Sequence, residues 1–140
     1  MNKLVLDNLN FKITDKVPVW LMRQAGRYMK EYHTVKNKFN GFMEMCKNSD
    51  AVTEITLQPI KKFDFDAAII FSDILLVLDA IGVKVEFITG KGPVIDNLES
   101  LKNIKLLSRE LNSKKVGPCY EAIKNIKKEL IDKPLIGFSA

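Results

Sequence analysis

Ala67-Ala68-Ile69-Ile70-Phe71-Ser72 is an unbroken run of apolar and small residues that ends on a carboxylate, Asp73. Such a run, rich in isoleucine and without alternation of wet and dry positions, has the composition of a strand buried on both faces, as in a parallel sheet. Working outward, residues 74–81 read as a helix stopped by Gly82. Upstream, Ser49 or Asp50 caps a helix whose apolar positions Val52, Ile55, Ile60 and Phe63 follow helical spacing, and Pro59 should kink or restart it. Residues 42–46 fit one or two helical turns, and residues 17–22 read as a short buried strand with Pro18 near its start.

Downstream, residues 83–88 alternate as Val-Lys-Val-Glu-Phe-Ile, a strand with one wet face, and Gly90-Lys91-Gly92-Pro93 turns the chain. The spacing predicts a hairpin-like excursion near residues 83–95. Gly90-x-Gly92 opens no helix, so a plain turn explains it better than a phosphate loop. Pro118 suits the first turn of another helix, with Tyr120, Ile123, Ile126 and Leu130 on its buried face, and residues 134–138 begin a third apolar strand. Strands alternating with helices in this order predict an α/β protein with a parallel sheet. No repeat or low-complexity linker divides it, so residues 1–140 read as a single partial domain.

With 46% hydrophobic residues the 140-residue chain can bury a real core. It has no run of eighteen apolar residues and no leader-like amino terminus, which predicts a protein neither inserted in a membrane nor exported. Cys46 and Cys119 lack any metal or redox spacing and fit inert thiols in a reducing cytoplasm. The net charge of +5 is spread over separate lysine doublets with acids between them, without an aromatic-interleaved stripe. A solvated surface explains it better than nucleic-acid binding.

The basic residues are nearly all lysine, yet two of the three arginines stand four apart in Arg23-Gln24-Ala25-Gly26-Arg27. Arginine offers a planar fork that grips a carboxylate or phosphate in two places, which lysine cannot do. The pair fits a site for a ligand with several acidic groups; it equally fits a loop tied to neighbouring carboxylates. Gly26 tilts the balance towards function, because a glycine lets backbone approach a ligand. In parallel α/β sheets ligands bind beyond the carboxyl ends of the strands. Arg23 and Asp73 each follow such a run, so adjacent parallel strands would bring them to one face. Asp73 also fits a helix cap, which does not exclude chemistry. Tyr28 and Tyr32 fit packing better than a pocket wall, and His33 fits a surface or hydrogen-bonded residue better than a general base.

Residues 18–32, Pro-Val-Trp-Leu-Met-Arg-Gln-Ala-Gly-Arg-Tyr-Met-Lys-Glu-Tyr, resemble the amino-terminal signature of the uroporphyrinogen decarboxylase family. The resemblance continues through Thr56-Leu57-Gln58-Pro59, residues 63–75, Gly90-Lys91-Gly92-Pro93 and residues 134–139, in order along nearly the whole chain. Met29-Lys30 departs from the family's usual Leu-Pro. The resemblance implies the amino-terminal part of a (β/α)8 barrel, incomplete here. It implies decarboxylation of the four acetate side chains of uroporphyrinogen to give coproporphyrinogen, a step of porphyrin and heme biosynthesis, with no metal or organic cofactor. It also implies a cytoplasmic homodimer for the intact enzyme. On motif matching Arg23, Gln24, Ala25, Gly26 and Arg27 form the substrate-binding loop, and Asp73 lies under the macrocycle, facing its pyrrole N–H groups. Neither arginine suits the role of proton donor, since a guanidinium does not give up its proton in a protein. A barrel needs ~250 residues, and the family's tyrosine, serine or threonine, and histidine site residues find no match among these 140. The expectation is therefore that this stretch is inactive by itself. The alternative is a non-catalytic remnant or split-gene partner that binds an acidic ligand or its complementary half.

Overall fold

A computed structural model describes residues 4–88, 90–95, 105 and 107–137. Helix α1 (Leu4–Leu9) opens the described chain, followed by α2 (Lys30–Lys36), α3 (Phe42–Cys46) and α4 (Ser49–Phe63). Then come strand β1 (Ala68–Ile69), α5 (Leu75–Ala80), strands β2 (Val85–Ile88) and β3 (Gly92–Ile95), α6 (Ser113–Glu129) and β4 (Leu135–Ile136). The architecture is α/β. Strands β1 and β4 pair in parallel, Ala68 with Leu135 and Ile69 with Ile136, while β2 and β3 form a separate antiparallel hairpin.

The cap of helix α4 lies one residue before Ser49 and two before Asp50, the caps expected from sequence. Asn48 is the N-cap, its Oδ1 accepting from the Ala51 N–H at 2.9 Å, and Ser49 and Asp50 lie inside the first turn. The helix runs through Pro59 to Phe63 without restarting. Helix α5 closes with a Schellman motif: Val83 N–H donates to Leu78 at 3.0 Å and Gly82 N–H to Asp79 at 3.1 Å. Gly82 holds φ at 101°, which suits glycine and confirms it as the stop signal. Helix α6 begins at Ser113, capped by Asn112, so Pro118 lies past the first turn. Its buried residues are Val116, Ala122 and Ile126, and Tyr120 points outward, 55% exposed, against the expected buried face.

Residues 17–22 are no strand. Their one backbone link to the β1 side is the Asp66 N–H to Val19 carbonyl bond of 2.9 Å, and the Val19 N–H returns to an Asp66 carboxylate oxygen at 2.8 Å. That side-chain clasp replaces the ladder, and Val17 and Met22 are left largely exposed. The apolar run at residues 67–72 likewise pairs over only two positions, extended by Ala68 N–H to Pro134 and Ile70 N–H to Ile136 bonds. Phe138, expected in the last strand, lies outside the described residues.

Two apolar clusters support these elements. Met29, Tyr32, Val35, Met45, Ala51 and Ile55 join α2, α3 and α4, with Ala25 and Phe71 packed against them. Val52, Leu57, Ile70, Ala122 and Ile126 pack α4 and α6 against each other and against the end of β1. Since α4 serves both clusters, it is the beam on which the arginine loop and β1 are mounted.

Candidate active site

The loop holding both arginines is fixed through its own backbone carbonyls, which accept from one N–H and two side chains. The Tyr28 hydroxyl donates to the Gln24 carbonyl, Met29 N–H to Gly26 at 3.0 Å, and the His33 Nε2–H to Arg27 at 2.7 Å. Gly26 holds φ at 145°, a region disfavoured for residues with a Cβ, so the loop needs glycine there although its surroundings leave space. Ala25 and Met29 turn inward onto the first cluster. Arg23 and Arg27 turn outward and are exposed. Neither guanidinium meets a carboxylate among the described residues. The structural alternative for the pair, a tie to neighbouring acids, therefore finds no partner there.

Asp73 stands just past β1, half-buried. Its Oδ1 accepts the Leu75 N–H at 2.8 Å and its carbonyl the Leu76 N–H at 3.2 Å, so it does help start α5. Its second carboxylate oxygen takes no hydrogen bond among the described residues. Asp73 also borders a cavity of about 470 Å³, lined mainly by apolar residues of α5 and α6 together with Ser72, Cys119 and Gly137. Arg23 and Arg27 do not line that cavity.

An aromatic contact links the helix that follows the arginine loop to the end of β1. Tyr32 meets Phe71 edge-on at 6.0 Å, and Phe71 meets Phe42 at 5.8 Å. Burial pushes the Tyr32 hydroxyl pKa up, partly offset by the Arg27 charge. Burial, with a further push from the Asp73 charge, raises the Cys46 thiol to about 12. The fields of Arg27 and Asp73 thus reach neighbouring buried groups, Tyr32 and Cys46. The two expected anchors share a core without touching each other.

Gln24 differs from the other loop residues. It is one of two fully buried polar side chains among the described residues, the other being Thr56. Thr56 Oγ1 donates to Val52 at 2.7 Å and accepts the Phe71 N–H at 2.9 Å, tying α4 to the strand that leads to Asp73. Sequence reasoning passed over Thr56. Its signal is position: it shares the buried helical stripe Val52, Ile55, Thr56, Pro59, where a hydroxyl needs a partner. Among the described residues no group of three or more His, Cys, Asp or Glu is placed to hold a metal, and no helix is long and apolar enough to cross a membrane.

Comparison with known proteins bears on the same residues. The family model for uroporphyrinogen decarboxylase matches residues 1–140. A uroporphyrinogen decarboxylase of Francisella tularensis subsp. novicida is 47% identical over 141 aligned positions, covering 99% of this chain and 41% of the relative. One from Thermodesulfovibrio yellowstonii is 49% identical over 128 positions, covering 91% of this chain and 37% of the relative. Among solved structures, a methyltransferase from Methanosarcina mazei superposes with a TM-score of 0.64 at 17% identity, over 99% of this chain and 41% of that one, a likeness of fold alone. The chain spans about two fifths of the length of the curated relatives it matches. With the arginine loop and the aspartate at the strand end inside that match, the chain belongs to the uroporphyrinogen decarboxylase family.

Proposed function

We propose that these residues form one wall of a uroporphyrinogen decarboxylase active site, on the amino-terminal part of a (β/α)8 barrel. The observation that carries this reading is the pair of exposed guanidiniums, which meet no carboxylate among the described residues, on a hydrogen-bonded loop in a chain of this family. The substrate is a ring of pyrroles carrying eight carboxylates. Arg23 and Arg27 grip acetate or propionate groups and hold the ring in register, so the orientation cost is met before reaction. The loop's Gln24, Ala25 and Gly26 set the spacing of the two forks.

Decarboxylation leaves an electron pair on the side-chain carbon as CO2 departs. A pyrrole protonated at carbon accepts that pair, a proton then completes the methyl group, and the ring carbon releases its added proton to restore the pyrrole. Positive charge develops on the pyrrole nitrogen, opposite the oxygen of Asp73 that its own helix does not use. A carboxylate fixed there in advance stabilises the cation as it forms, without reorganisation. This chemistry calls on no metal or organic cofactor. The intact enzyme is proposed as a cytoplasmic homodimer.

The test is a chimera in which residues 1–140 replace the matching segment of the Francisella tularensis relative. Formation of coproporphyrinogen from uroporphyrinogen, lost on Arg23→Ala/Arg27→Ala substitution, is expected. A folded chimera without that activity contradicts the assignment. The chain by itself is expected to bind but not to turn over, and steady coproporphyrinogen formation by it counts against the one-wall reading.

A further inference from the structure

Gln24 sits between the two arginines, yet its side chain is fully buried and spends both ends on backbone. Its Nε2 donates to the Ala67 carbonyl at 3.1 Å, and its Oε1 accepts the Leu21 N–H at 3.2 Å. Its own carbonyl accepts the Tyr28 hydroxyl. Ala67 opens the run that ends at Asp73. From Ala67 onward that run is held by the Ala68 bond to Pro134, the Ile70 bond to Ile136 and the Phe71 bond to Thr56. Gln24 therefore ties the arginine loop to the first residue of the stretch that delivers the aspartate, and separate hydrogen bonds hold that stretch at Ala68, Ile70 and Phe71.

We propose that Gln24 is a positioning residue: its amide sets the register of the Arg23/Arg27 pair against the strand carrying Asp73, and contacts no ligand itself. This rests on the reading of the pair as a carboxylate grip. A register device governs how many carboxylates are gripped at once, and so the preference for a tetrapyrrole with eight carboxylates over one with four. A merely structural amide changes melting temperature and leaves that preference alone.

The probes are uroporphyrin, with eight carboxylates, and coproporphyrin, with four, titrated against the 140-residue chain. Trp20, the only tryptophan, lies three residues before Arg23 and reports binding by its emission. Wild type is expected to favour uroporphyrin by ~10-fold or more, as multiple bidentate grips require. Gln24→Met preserves side-chain length without the amide and is expected to bring the preference below ~3-fold. Tyr28→Phe keeps an exposed ring and removes the bond to the Gln24 carbonyl; it is expected to lower the preference in the same direction, and it decides the matter if Gln24→Met does not fold. Arg23→Ala/Arg27→Ala is expected to abolish binding. If the arginine variant loses binding while folded Gln24→Met, or failing that Tyr28→Phe, retains the wild-type preference, the positioning role is overturned and the grip stands. If the arginine variant binds as wild type does, the grip fails and the positioning role with it.

Discussion

Asp73 divides its carboxylate: one oxygen starts α5, and the other takes no hydrogen bond among the described residues. In the chimera, Asp73→Asn keeps the acceptor that Leu75 uses but loses the charge that opposes a developing cation. We expect kcat to fall by ~100-fold or more with KM changed little; a loss confined to KM contradicts the role. Arg23→Lys replaces a fork by a point charge and should raise KM by ~10-fold; near-normal kinetics rule out a two-point grip. The Cys46 thiol, pushed up to about 12 by burial, should resist alkylation by iodoacetamide at pH 8, while half-buried Cys119 reacts first by mass spectrometry. At this scale the sequence was informative where composition was unusual. Paired arginines in a lysine-rich chain stood out; Gln24 did not, because an amide looks alike whether it meets ligand or backbone until its burial is known.

Helices α3, α5 and α6 are joined by Asp79, which pairs with Lys47 at 2.7 Å and Lys115 at 3.2 Å. Burial disfavours its ionised form, but the hydrogen bonds and charges of the two lysines outweigh this and hold its pKa below the ordinary 3.8. A carboxyl depressed in the folded state stabilises it above the unfolded value, and the contribution is lost as pH falls through the folded one. Asp79→Asn should therefore be less stable at pH 7, with a deficit that shrinks as pH falls below 3.8 in acid-denaturation curves; a pH-independent deficit contradicts the charge argument. Thr56→Val leaves the Phe71 N–H unpaired in the core and should cost ~1–3 kcal/mol by urea unfolding, with Thr56→Ser close to wild type. Helix existence was largely readable from apolar spacing in α4 and α6, and helix starts were not. Asn48 and Asn112 both outcompeted the expected starts, because a cap depends on which oxygen reaches the second or third N–H. Helix α2 was missed although Met29, Tyr32 and Val35 recur every three residues, since the flanking arginine block drew the reading towards a loop.

In the molecule as a whole, α4 and α6 pack on each other beside a short parallel pair, and β2 and β3 form a separate hairpin. The α/β class was legible because strand and helix periods differ. Strand lengths were not, because a ladder is set by its neighbours: residues 17–22 read as a strand, but an aspartate clasp takes the place of their partner. The family match spans both the arginine loop and Asp73, and the cluster around Tyr32 and Phe71 packs together the elements that carry them. The most direct measurement is backbone amide NMR of the 140-residue chain titrated with uroporphyrinogen under anaerobic conditions. Concerted, saturable shifts are expected at the amides of Arg23 to Arg27 together with Asp73 to Leu75. Shifts confined to the lysine-rich α4–α6 surface, or none at the arginine loop at saturating ligand, contradict the one-wall reading.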